Sequence, residues 1–63
     1  MKTEDEIRKE IARLSKDYDE WAKGRDLYLS EGNEAESENC SVAMKGIEKQ
    51  IRLLKWALGD SDE

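Results

Sequence analysis

Apolar side chains return along the first half of the chain at Ile7, Ile11, Leu14, Tyr18, Trp21 and Tyr28, with Arg25 in step between the last two. The second half carries a similar series at Cys40, Met44, Ile47, Ile51, Leu54 and Leu58. In both series the steps alternate between four and three residues without a slip. That spacing is the heptad repeat of helices that pack with a slight left-handed supercoil. The pattern predicts a helix over about residues 4–30, a turn at 31–33 and a second helix over about 34–58, with an acidic tail at 59–63.

Local signals agree with those limits. Thr3 followed by Glu6 is a capping box, and Asn33 followed by Glu36 repeats the arrangement with asparagine as the cap. Both predicted first turns are acidic: Glu4, Asp5 and Glu6 in one, Glu34 and Glu36 in the other. This suits the positive end of a helix dipole. Gly32 and Gly59 stand where the two helices should stop, a place favouring a residue that adopts positive φ without strain.

The two seams also register with each other. Ile7 pairs with Leu58, Ile11 with Leu54, Leu14 with Ile51, Tyr18 with Ile47, Trp21 with Met44 and Arg25 with Cys40. In every pair the residue numbers add to 65, so the chain folds back between Gly32 and Asn33. Turn chemistry and core pattern, read separately, name one point. A rival reading breaks the first helix at Gly24, where glycine costs about 1 kcal/mol relative to alanine. Against it, Tyr28 keeps the heptad going past Gly24, and long structureless loops are rare in small domains. The fold class is therefore all-α, a two-helix antiparallel hairpin forming one domain.

One hairpin buries only one seam, which is little to set against the entropy of ordering the whole chain. Ser15, Ala22, Gly24, Ala43 and Ala57 flank the stripe and leave room for further helices. The expectation is a homodimer, closed as a four-helix bundle.

Composition narrows the function. Charged residues make up 43% of the 63-residue chain, with 11 Lys and Arg against 16 Asp and Glu, for a net charge of −5. That balance disfavours non-specific binding to nucleic acid or anionic membranes. No stretch is apolar enough to span a membrane, and the acidic start of the chain lacks the apolar core of a signal peptide. A single cysteine, Cys40, allows no internal disulfide and fits a reduced, cytoplasmic setting. Histidine is absent, which removes the usual acid/base group at neutral pH and the Glu-x-x-His pairs of di-iron bundles. The serines have no evident activating base. Asp17, Asp19 and Glu20 form an acidic group outside any calcium-loop pattern. The reading is non-enzymatic, without metal or cofactor.

Two matched helices, a tight central turn and a short acidic tail after Gly59 resemble Rop, a plasmid-encoded RNA-binding regulator. The resemblance spans the whole chain and is one of architecture, with no residue motif carried over. It implies an antiparallel four-helix bundle of two hairpins and an RNA-binding role.

Several side chains remain as candidate sites. Lys45, Lys49, Arg52 and Trp56 are spaced four, three and four, which sets them on the outward face of the second helix. Cations for phosphates and a ring for stacking make this a possible nucleic-acid or partner face. Lys9, Arg13, Lys16 and Lys23 form a similar stripe on the first helix, interrupted by Glu20. The plain alternative is a solvated face of helical ion pairs, such as Glu4–Arg8, Asp5–Lys9, Asp19–Lys23 and Glu48–Arg52. Trp56 with Leu53 and Leu27 could instead meet a partner protein. Cys40 is expected opposite Arg25, as a buried apolar residue or as a thiol activated by the guanidinium. Arg25 either sets register or snorkels out of the seam. The sequence thus supports a self-associating interaction or regulatory module. An RNA-binding regulator and a subunit that completes its bundle with a different protein stand as alternatives.

Overall fold

The computed structural model describes residues 3–59 of the chain. It is a hairpin of two helices, α1 (Glu4–Ser30) and α2 (Glu34–Leu58), packed against each other along their length, with no strand among the described residues. The acidic side chains expected in the tail, Asp60, Asp62 and Glu63, lie outside the described residues.

Helix ends follow the capping chemistry. The Thr3 hydroxyl accepts from the Glu6 N–H at 3.2 Å, and the Glu6 carboxylate accepts from the Thr3 N–H at 3.0 Å. This reciprocal box satisfies donors that the helix itself leaves open. At the turn, Gly32 adopts φ 77°. Its N–H donates to the Leu29 carbonyl at 3.1 Å, and the Asn33 N–H donates to the Tyr28 carbonyl at 2.8 Å. These are the two bonds of a Schellman motif. The Asn33 side chain then accepts from the Glu36 N–H at 3.2 Å and starts α2. Asn33 thus closes one helix with its backbone and opens the next with its side chain. Because its N–H is already engaged, the second cap is one-sided rather than the repeated box that the sequence suggests.

Gly24 does not break α1, which continues to Ser30. A Cβ at Gly24 would lie 3.7 Å from Cys40 Sγ, so the missing side chain leaves the space that the thiol faces across the seam. Leu14, Cys40 and Met44 are buried. Ile7, Ile11, Tyr18, Arg25, Tyr28, Ile47, Ile51, Leu54 and Leu58 are half-buried, as expected where one helical layer covers one side of a stripe. Trp21, placed in the core seam by its spacing, is 43% exposed, because an indole is wider than the contact between two helices. Ser37 is buried although it belongs to no apolar series. Its hydroxyl donates to the Glu34 carbonyl at 2.9 Å, which removes the cost of burying it.

The hairpin measures 43 × 21 × 17 Å, with a radius of gyration of 14.0 Å. A compact domain of this length has a radius of gyration of about 11 Å. The elongation is that of a rod one helix pair thick, with no third layer over either side of the seam among the described residues.

Candidate functional site

The seam has two ledges. Residues that repeat every seven positions share a column, and at about 100° per residue neighbouring columns lean to opposite sides of the contact. Ile11, Tyr18 and Arg25 of α1 lean to the same side as Met44, Ile51 and Leu58 of α2. Ile7, Leu14, Trp21 and Tyr28 lean to the other side, with Cys40, Ile47 and Leu54.

The first ledge is polar and tied across the helices. Tyr18 donates its hydroxyl to Glu48 at 2.8 Å. This bond to a carboxylate holds the Tyr18 pKa above the ordinary tyrosine value, with desolvation acting in the same direction. Arg25 sends Nη1 to Met44 Sδ at 3.9 Å, while Nε and Nη2 reach Asp26 at 3.2 and 3.1 Å. Helical side chains tilt toward their own N-terminus, so Arg25 meets the residue paired with Trp21 rather than Cys40. The guanidinium therefore does not bond the thiol that the register sets opposite it, and a Cβ at the neighbouring Gly24 would lie 3.7 Å from Cys40 Sγ.

The second ledge is plainer. Its flank on α2 is Ala43, Gln50 and Ala57, with no charge, and Leu53 lies beyond, 56% exposed. On α1 it is flanked by Glu10, Asp17 and Gly24. Both carboxylates are turned to Arg13, which holds Glu10 at 2.6 Å and Asp17 at 3.3 Å. Hydrogen bonding and attraction from Glu10 raise the Arg13 pKa. Toward the open end of the hairpin, Glu10, Leu14, Gln50, Leu53 and Leu54 line a groove of about 280 Å³.

The outward stripe of α2 is solvent-exposed throughout, with Trp56 at 70%. Among the described residues Lys45, Lys49 and Arg52 make no ion pair. Glu48, expected to answer Arg52 one turn later, accepts from Tyr18 instead. The expected pairs Asp5–Lys9 and Asp19–Lys23 are also not formed. On α1, Arg13 and Arg25 are paired with carboxylates, whereas Lys9, Lys16 and Lys23 form no ion pair among the described residues.

Sequence reasoning missed Ser37 and the groove. Ser37 could have been found: it stands three residues before Cys40, so the heptad of α2 runs back one more step. The groove could not, since it depends on how far apart the helices sit.

No group of three or more His, Cys, Asp or Glu side chains that could hold a metal ion occurs among the described residues. No helix there is long and apolar enough to cross a membrane. Compared with family models, curated proteins and solved structures, the chain matches none.

Proposed function

We propose that the protein is a non-enzymatic, self-associating hairpin that acts as a homodimeric interaction or regulatory module in the cytoplasm. The observation that carries this reading is surface area. A compactly folded chain of this mass exposes about 4,200 Å², whereas this one exposes 4983 Å². The excess of roughly 800 Å² is what one partner buries in a stable, specific interface. The unmet apolar surface nearest the seam includes Trp21, Leu29 and Leu53, all exposed, beside a seam that is mostly half-buried.

Sedimentation equilibrium over a wide concentration range tests it. The expected result is a species of twice the 7.3 kDa chain mass that dissociates on dilution and loses helix as it does so. A chain that stays folded and monomeric overturns the reading. A chain that is unfolded alone but folds with a co-expressed protein replaces it with the hetero-bundle reading.

One observation favours a second reading, a Rop-like RNA-binding regulator. Lys45, Lys49 and Arg52 form no ion pair among the described residues and share a face with an exposed indole. Such a face offers cations to phosphates and a ring to an unstacked base. Salt-dependent retention on an RNA column, abolished by Lys49→Glu with Arg52→Glu, is the expected outcome. Retention unchanged by the double substitution removes the stripe from the argument.

A further inference from the structure

We propose that two hairpins meet through the second ledge, the Trp21 of each seated in the groove that Glu10, Leu14, Gln50, Leu53 and Leu54 line on the other. This inference rests on the self-association reading and names its surface.

Four observations converge. Trp21 leans to the ledge that carries the groove, and it remains 43% exposed in the single hairpin. That ledge has an uncharged flank on α2, where Ala43 and Ala57 allow close approach of a second pair of helices, while its two acids on α1 are held by Arg13. The opposite ledge would bring Glu48, Lys55 and Arg25 into the contact. The groove, about 280 Å³, is open to solvent and lined mostly by apolar surface, so an indole can lie along it without displacing a side chain.

Charge sets the orientation. Residues 17–48, around the turn, hold three cations and nine anions. Residues 3–16 and 49–59, toward the open end, hold seven cations and four anions. Two copies with turns at the same end would stack acid on acid, and two with turns at opposite ends set each acidic half beside a basic one. The axial levels then match. A twofold axis crossing α1 at its midpoint, residue 17, carries residue 21 to the level of residue 13. That level lies inside the span from Glu10 to Leu14 that lines the groove. The contact is isologous, so each copy supplies one ring and one groove.

Two measurements on the full chain test the surface. In the first, sedimentation equilibrium compares Trp21→Ala with Trp56→Ala. Removing a buried interface tryptophan weakens association at least about thirtyfold, while Trp56→Ala should leave the dissociation constant within a few-fold of the parent. In the second, Trp21→Cys and Leu53→Cys are combined in a Cys40→Ala background and oxidised at a protein concentration well above the dissociation constant measured for Trp21→Ala. Within one chain these positions lie about nine residues apart along the hairpin, or roughly 13 Å, too far for a disulfide. A covalent dimer joined between positions 21 and 53 is therefore the expected product, and Leu53 is exposed enough that the substitution leaves the fold alone. A dimeric parent whose Trp21→Ala variant associates equally well, with no 21–53 cross-link, overturns this surface and leaves self-association standing. A monomeric parent overturns both.

Discussion

Along α2, the turn half and the open half bury the seam to different degrees, and the ranking runs against side-chain size. Ser37, Cys40 and Met44, near the turn, are buried. Ile51, Leu54 and Leu58, toward the open end, stay half in solvent although they are hydrocarbons larger than serine or cysteine, whereas on α1 the order reverses, with Leu14 buried in the open half and Trp21 exposed near the turn. Near the turn, Gly24 opens space at the thiol, the Schellman motif holds the helix ends together, and Tyr28, Arg25 and Trp21 overhang a slim α2. In the open half of α2, Ile51, Leu54 and Leu58 meet aliphatic side chains of α1 across one contact, and each keeps an outer edge in solvent. Burial in a two-helix layer thus depends on how closely the backbones approach and on what overhangs the seam.

The sharpest way to break this contrast is truncation. Met44→Ala should cost about 3 kcal/mol, in the range for emptying a closed site. Leu58→Ala should cost about 1 kcal/mol while the hairpin is dilute and monomeric, because its site is already partly wet. Denaturant unfolding at low and high protein concentration checks both. A Leu58→Ala cost that equals that of Met44→Ala at every concentration would erase the difference between the halves. A cost that rises with concentration would place a second copy over the first ledge, to which Leu58 leans, instead of the second.

Glycine substitutions come next. Gly32 needs its positive φ to close the turn, so Gly32→Ala should destabilise the hairpin by about 1 kcal/mol. Gly46 is helical and has open space where a methyl group would stand, so Gly46→Ala should stabilise by up to about 1 kcal/mol. Thermal melts of the two variants should move in opposite directions. A shared direction would mean that the turn does not govern how tightly its half is packed.

The smallest effect concerns pH at the middle of the rod. Glu48 holds the Tyr18 phenol protonated, so the folded pKa lies above the unfolded value of about 10. A raised folded pKa contributes stability that is fully present below the unfolded value and is lost as pH climbs through the folded one. The stability difference between the parent and Tyr18→Phe should hold steady up to about pH 9 and change above pH 10, as the parent gives up its bond to Glu48. A difference that stays flat through strongly alkaline pH would detach Tyr18 from Glu48 in solution.

Much of the fold was legible in the chain because each signal is local or periodic. The Thr3 box and the Gly32-Asn33 turn depend on a handful of consecutive residues, and the heptad depends only on spacing. The candidate surface was less legible. Trp21 reads as core by its spacing, and only its 43% exposure marks it as reaching past the contact. Helical ion pairs also proved hard to read, since spacing permits Glu48 with Arg52 as readily as Arg13 with Asp17. The choice lay with Tyr18 on the other helix.

Two helices, their limits, their turn and the stripe on which they pack could be read along the chain, because those follow from backbone hydrogen bonding and from the 3.5-residue rhythm of apolar side chains. Which side chains the contact covers, how Asn33 divides its groups between two helices, and where a groove opens beside the seam emerge when the helices pack. Those depend on the distance between two helix axes and on the competition of neighbouring groups for one partner, and neither quantity is periodic along the chain.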